Sequence, residues 1–201
     1  TIGSFAFSCS YLEEIYIPAS VTSLGIRFLN HVHGLTKIVV DENNPVFDSR
    51  NNCNAVIETA TNTLFAGCIT SVVPKGVTAI GDYAFTECQD LTSFDIPSWV
   101  TSIGSSAFMF CNRLVEVISH IENPYPIAEG VFPHIPSNAV LFVPDRTKDK
   151  YAQTGGWNVF KSIVEKKAVS LHVATAGTLP SLISDADKYA ITELTLTGEL
   201  N

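Results

Sequence analysis

The feature that most constrains this chain is a block of residues that recurs every 23 positions. Four pairs of residues carry the period: Gly81 and Gly104, Phe85 and Phe108, Cys88 and Cys111, and Leu91 and Leu114. Weaker copies of the block begin at Ile2 and at Leu24. A unit this short cannot bury its own apolar edge, so copies must stack and bury a continuous one. The period therefore predicts a solenoid.

Each unit divides into three parts with different backbone preferences. A Leu-x-x-Ile-x-Ile-Pro part, as in 12–18, alternates apolar residues and predicts a short strand ended by proline. A Val-Thr-x-Ile-Gly part turns the chain, and we expect its glycine to take a positive φ. A Gly-x-x-Ala-Phe-x-x-Cys part has apolar residues on one face and predicts one or two helical turns. The expected fold class is α/β, a curved parallel sheet with short helical turns on the convex side.

One unit is ten residues longer than the repeat. Leu35 and Cys68 are 33 residues apart, although they hold comparable positions of the frame. The stretch that ends at Glu58 and the segment 64–68 predict two strands, and 59–63 between them has the composition of a turn. The extra residues therefore predict a β-hairpin inserted in the solenoid.

The repeat loosens after Val117, where several prolines interrupt regular structure. Asp145 is placed to cap a short helix that ends near Ala152. Trp157 and Phe160 follow, and we expect their rings to cover the end of the apolar core. A solenoid needs such a cap because its last strand otherwise leaves an open edge.

These patterns predict two parts of the chain. Residues 1–166 form the repeat domain, which starts in mid-repeat and is capped by 139–165, so we expect further sequence upstream. Lys166 and Lys167 mark the boundary. Residues 167–201 are expected to be the start of a second, incomplete domain or an extended tail that packs weakly or on a neighbouring molecule.

The frame AF-x-x-C-x-x-L-x-x-I-x-IP-x-x-VT-x-IG resembles the BspA-type leucine-rich repeats of Bacteroides-like surface proteins, and a period of 23 lies in the leucine-rich-repeat range. Segment 44–68 resembles the inserted hairpin unit of that family, and 139–165 resembles its closing unit. The resemblance covers 1–166. It implies a leucine-rich-repeat solenoid, export, display at the outer cell surface or secretion, and contact with host proteins or glycans.

Charge and hydropathy exclude some classes of partner. The formal net charge is −8, so nucleic acid and anionic membrane surfaces are disfavoured partners. Apolar residues make up 46% of the chain and charged residues 16%, which is enough to bury a core. No segment reads as a transmembrane helix or a signal peptide.

The five cysteines predict core positions rather than chemistry. The frame places Cys9, Cys88 and Cys111 in equivalent buried slots, where a thiol acts as a small apolar group. An odd number cannot be fully paired within one chain, so we expect free thiols. Cys53 and Cys68 are the pair that could form a bridge.

Residues that could carry catalysis or bind metal are few. His31 and His33 could ligate one metal from the same face of a strand, but no third ligand is near in sequence. The acid and amide run 41–52 offers oxygens to calcium without the spacing of a calcium loop, and turns select the same residues. No nucleophile motif, phosphate loop or carboxylate pair stands out. We therefore predict no enzyme, no cofactor and no metal.

The strand residue between the two inward apolar positions must point to solvent. Through the repeats this position forms a row of predicted binding residues: Tyr16, Val39, Val72, Asp95, Ile118 and Phe142. Strands ~4.8 Å apart would make a stripe on the order of 25 Å long. Three explanations fit such a row. It marks a partner site, or these residue types are present because they favour strands. In the third, the tail covers the row.

The sequence thus predicts a secreted or surface-anchored binding module for a protein or glycan. The alternative is a structural spacer with no specific ligand, and an enzyme is the least favoured class. A binding module should retain a ligand as an isolated fragment, whereas a spacer should not.

Overall fold

The computed structural model describes residues 1–175, 178, 182–183 and 191–198, and it has the stacked coils of a solenoid. The strands are short and numerous: β1 Glu14–Ile17, β2 Lys37–Val40, β3 Phe47–Asp48, β4 Ala55–Glu58, β5 Thr63–Gly67, β6 Ala79–Ile80, β7 Ser93–Ile96, β8 Ser102–Ile103, β9 Glu116–Ser119, β10 Val140–Pro144, β11 Ser162–Val173 and β12 Ile191–Gly198. Helix α1 spans Lys148–Gln153, and two 3₁₀ turns span Arg50–Asn52 and Trp157–Val159. No helix within the described ranges is long and apolar enough to cross a membrane.

The strands form a front sheet and a back sheet. The front sheet consists of a β1–β2 pair and a block in the order β7–β9–β10–β11–β12, all parallel. The back sheet has the order β3–β4–β5–β6–β8. The front register follows the sequence period, since Glu14 pairs with Lys37 and Ser93 with Glu116. The predicted parallel sheet is therefore present, in two separate blocks.

The Gly-x-x-Ala-Phe parts form reverse turns where helical turns were expected. Tyr83 and Glu87 both take positive φ, near 58° and 56°, which no α-helix permits. Alternate N–H groups donate to carbonyl oxygens of the next coil, one residue before the equivalent repeat position, at 2.7–3.0 Å: Tyr83 to Ser105, Phe85 to Ala107 and Glu87 to Met109. A helix would use these donors within itself. The turns therefore add a third hydrogen-bonded ladder between coils.

The repeat glycines are needed for close approach of coils, not for positive φ. The glycines with positive φ are Gly34, Gly76, Gly156 and Gly198, none of which belongs to the Ile-Gly motif. A Cβ on Gly104 would lie 2.4 Å from the backbone N of Asp82, and one on Gly25 would lie 2.1 Å from that of Ser4. At Gly25 and Gly104 the backbone of one coil therefore lies directly against the glycine of the next.

The predicted insertion forms a three-stranded antiparallel unit rather than a simple hairpin. β3 pairs with β4 and β4 with β5, and Ala55 lies opposite Gly67. The core is divided at this unit. Ile57 and Leu64 belong to the larger C-terminal apolar cluster, while Val56 and Ala66 belong to the N-terminal one. The hairpin β4–β5 therefore stands between two cores and packs on both.

The closing unit buries its aromatic residues as expected. Trp157 is fully buried and Phe160 is nearly so, and the Phe160 ring centroid lies 5.1 Å from that of Phe132. Helix α1 begins after Thr147, not at Asp145 as predicted, because Glu165 accepts a hydrogen bond from the backbone N–H of Lys148 at 3.0 Å. The side chain that binds a free N–H of this helix therefore comes from β11.

The sheet continues beyond the cap. Residues 162–166 of β11 pair with β10, and 167–173 pair with β12, with an irregularity between Lys167 and Ala168. The predicted domain boundary thus falls where the strand changes partner. Of the predicted tail 167–201, residues 176–177, 179–181, 184–190 and 199–201 lie outside the described residues, and its division into a second domain stays a prediction.

We expect Gly104→Ala to destabilise the protein by about 2 kcal/mol or more, because the added methyl overlaps backbone atoms that cannot move aside cheaply. Urea denaturation measures the change. Gly3→Ala is the matched control, since a Cβ there meets nothing within 4 Å. Equal stability of the two variants would show that the coils are not held at this distance.

Candidate binding surface

Five of the six predicted row residues lie on the outer side of the front sheet. Tyr16, Val39, Asp95, Ile118 and Phe142 each stand between two buried neighbours of their strand. Register joins them into two groups, Tyr16 with Val39 and Asp95 with Ile118 and Phe142.

Val72 was predicted to lie in a strand of the row, and this placement was wrong. This residue belongs to no strand, although it is 56% exposed, and its N–H donates to Cys53 O at 3.0 Å. The inserted unit supplies that backbone partner, so its coil does not form the strand that would join β2 to β7. The row is therefore split in two.

The C-terminal group extends one strand further than predicted. Phe142 pairs with Ile118 on one side and with Val164 of β11 on the other. We call these three apolar residues the front patch. The alternation in Ser162-Ile163-Val164-Glu165 could have placed Val164 in the row, had this segment been read as a further coil. The described strand β12 pairs with β11 at its edge and extends the sheet.

Charged groups border the front patch. His120 Nε2 lies 2.9 Å from Asp95 Oδ1, beside Ile118 in the register. Lys166 Nζ lies 5.1 Å from the centroid of the Phe142 ring, within the range of a cation–π contact. An apolar strip with a charged rim is the usual anatomy of a protein interface.

The side chains around the N-terminal group, Tyr16 and Val39, are polar. The Tyr16 hydroxyl donates to a carboxylate oxygen of Asp41, and the N–H of Asn43 donates to the other at 2.9 Å. These bonds favour the ionised carboxyl and hold the pKa of Asp41 below its ordinary value, with Tyr16 the larger cause. Lys37 Nζ pairs with Glu14 Oε1 at 2.6 Å.

His31 and His33 belong to a cluster of side chains in contact with one another. His31 Nδ1 lies 2.7 Å from Glu87 Oε2, and the His33 ring stacks on Tyr11 at 5.3 Å. Arg27 also pairs with Glu87, at 3.0 Å. The contacts to Glu87 connect the second coil to the coil beyond the hairpin. Sequence analysis missed them because Arg27 and Glu87 are 60 residues apart.

Side chains of the acid and amide run 41–52, which could offer oxygens to calcium, form hydrogen bonds and an ion pair within the protein. The Asn44 amide nitrogen donates to Pro18 O and Val21 O, and its oxygen accepts from the N–H groups of Val46 and Phe47. Asp48 is paired with Arg50. In the part of the chain that the structure describes, no group of three or more His, Cys, Asp or Glu could hold a metal ion.

Two of the three cysteines assigned to core slots are at least partly buried, and one is not. Cys111 is fully buried and Cys88 is half-buried, but Cys9 is exposed. Cys9 takes a positive φ of 57°, as Glu87 does, so it occupies the turn position before the slot. All five thiols are free, including Cys53 and Cys68. Burial raises the pKa of Cys111 to about 12.

The sequence matches the family described as the BspA type leucine rich repeat region in six copies, over residues 1–56 and 50–143. The chain belongs to this family. No curated protein matches it. The matched BspA-type copies agree with the repeated coils and the glycine contacts of the structure.

Three solved structures resemble this BspA-type chain. A leucine rich cell surface protein from Faecalibacterium prausnitzii is 20% identical with a TM-score of 0.51, covering 83% of this chain and 51% of that one. The pneumococcal vaccine antigen PcpA is 16% identical with a TM-score of 0.55, covering 99% and 59%. A leucine-rich repeat protein from Eubacterium ventriosum is 20% identical with a TM-score of 0.58, covering 98% and 52%. These likenesses show the fold, and the chain spans about half the length of each.

We expect a thiol-specific reagent to label one cysteine rapidly in the native BspA-type chain. Cys9 is exposed, whereas Cys53, Cys68 and Cys111 are at most 1% exposed and require unfolding. Cys88 is half-buried, and burial raises the pKa of its thiol, so we expect it to react slowly. Absorbance after mixing with dithionitrobenzoate measures the rapid phase. Cys9→Ser should abolish it, and a rapid phase that survives this substitution would contradict the placement of Cys9.

We expect Tyr16→Phe to raise the pKa of Asp41 towards its ordinary value, because the carboxylate loses its hydroxyl donor. A depressed folded-state pKa stabilises the fold above the unfolded pKa, and this stabilisation is lost as the pH falls through the folded value. Carbon-detected NMR titration of the Asp41 carboxyl measures the shift. Tyr11→Phe is the control, and equal pKa values in both variants would exclude the Tyr16 contact.

Proposed function

We propose that this chain is a non-catalytic binding module displayed outside the cell, and that the front patch contacts its partner. The observation that carries the proposal is the in-register row of Ile118, Phe142 and Val164, partly exposed on the outer side of a parallel sheet. Parallel sheets are usually covered on both faces. Apolar side chains that stay partly exposed in register on one face are suited to a partner surface.

A protein partner is favoured over a glycan. Sugar rings stack on open aromatic faces, and the front sheet offers Phe142 and Tyr16 in separate groups. The Phe142 ring already has Lys166 over it, and the Tyr16 hydroxyl is bonded to Asp41. The aliphatic residues Ile118 and Val164 beside a charged rim suit a protein surface better.

Display outside the cell is supported by the relatives. One structural neighbour is described as a cell surface protein and another as a pneumococcal vaccine antigen.

A non-catalytic role is supported by two of the cysteines. Burial raises the pKa of the Cys88 and Cys111 thiols, which makes them poor nucleophiles.

We expect the double variant Ile118→Ser/Phe142→Ser to weaken binding of a protein partner at least tenfold, because it removes the centre of the apolar strip. The partner would be sought by surface plasmon resonance against immobilised host matrix proteins and glycans. Val72→Ser is the matched control, since Val72 is an exposed apolar residue that lies off the sheet. Both variants should keep the melting temperature within a few degrees, as surface substitutions usually do.

Two outcomes would count against the proposal. A partner that binds both variants as tightly as the parent chain would place the site elsewhere. A chain that retains no protein and no glycan across the panel would favour a structural spacer instead.

A further inference from the structure

The start of β11 has a strand on one side only among the described residues. Residues 162–166 pair with β10 on that side, while β12 pairs with β11 only from Lys167 onward. Alternate N–H and C=O groups of a parallel strand point to each side, so the outward groups of 162–166 have no strand partner within the described ranges.

An open pocket adjoins this edge. It measures about 410 Å³ and lies where α1, the 3₁₀ turn and β11 meet. Its apolar lining comes from Ala152, Phe160 and Ile163, and its polar lining from Asn158 and Ser162. Pockets of ~300–1,000 Å³ are large enough to hold a ligand group. The pocket lies on the end of the solenoid, where a further coil would bury its apolar side chains.

The same end is positively charged in an acidic protein. Residues 146–167 hold six of the chain's twelve Lys and Arg but two of its twenty Asp and Glu. Lys148 and Lys161 line the pocket, and both are exposed. Neither side chain has an ion pair within the described residues, whereas Arg146 pairs with Asp145. Two unpaired cations beside an apolar pocket favour an acidic ligand with apolar side chains.

We propose that this end edge binds an extended acidic segment of a partner protein, which adds to 162–166 as a strand. Its backbone would pair with the open edge of β11, an apolar side chain would fill the pocket over Phe160 and Ile163, and acidic side chains would approach Lys148 and Lys161. Strand addition of this kind draws affinity from main-chain hydrogen bonds and specificity from pockets.

This site shares only Val164 with the front patch, since the backbone of Val164 lies in 162–166 while its side chain belongs to the patch. The pocket and its lysines lie at the end of the stack, and its lining residues do not include Ile118, Phe142 or Val164. The two proposals can therefore fail independently, and Ile118→Ser/Phe142→Ser should leave binding at the end edge unchanged.

The test uses the full chain and a fluorescent peptide probe, acetyl-Glu-Glu-Val-Thr-Ile-Glu-Glu-amide. Its acidic ends can reach the lysines while Val and Ile lie on one face. Fluorescence anisotropy measures its Kd for the parent chain, for Lys161→Glu and for Lys75→Glu. Lys75 is an exposed lysine on a turn outside the pocket. Because both variants replace Lys with Glu, they change the net charge equally. We expect Lys161→Glu to weaken binding at least tenfold and Lys75→Glu less than twofold.

Two further probes separate strand addition from simple charge attraction. A probe with Gln in place of every Glu should bind at least tenfold more weakly. A probe N-methylated at Val, Thr and Ile keeps all charges but loses the main-chain donors of its central residues, and it should bind at least tenfold more weakly. Full binding of the methylated probe, or equal effects of Lys161→Glu and Lys75→Glu, would overturn the proposal.

A second copy of the chain is the other candidate occupant. Analytical ultracentrifugation of the parent chain and Lys161→Glu would detect it. A dimer that dissociates on Lys161→Glu, together with no binding of the acidic probe, would assign the edge to self-association and overturn the proposal.

Discussion

The structure depends on how closely the backbones of successive coils approach one another. A side chain on Gly104 would overlap the backbone of Asp82, and one on Gly25 would overlap that of Ser4. At this distance three backbone ladders can form at once, in the front sheet, in the back sheet and along the turns. Each coil thereby satisfies the polar groups of its neighbour, and the period of 23 fixes the register of all three.

Much of this was predictable from the sequence, because the signals were periodic. The inward positions of the front strands, the inserted hairpin and the Trp157–Phe160 cap follow from patterns that repeat or interrupt the frame. The turns were predicted as helical because Ala and Phe at that spacing also suit a helix. The positive φ of Tyr83 and Glu87 and the N–H groups that donate from Phe85 to Ala107 and from Glu87 to Met109 distinguish the two structures, and these hydrogen bonds lie between coils.

The binding surface was less predictable, since it depends on which coils are neighbours. Counting repeats placed Val72 in the row, but the hairpin takes the space of that strand and leaves two groups. Val164 joins the front patch because β11 continues the sheet past the cap. The Arg27–Glu87–His31 cluster and the basic end pocket arise from residues distant in sequence, so no local pattern could reveal them.

The inserted hairpin has a consequence for how the molecule fluctuates. Ala55, Val56, Ile57 and Leu64 are all fully buried, and neighbouring residues face different cores. Opening this hairpin would hydrate apolar surface of both cores at once, whereas opening a coil that packs in one core hydrates one. The hairpin is therefore expected to open less often than the coils on either side of it. The amides of an insertion that looks like a loop in the sequence are expected to exchange with solvent more slowly than those of the repeats around it.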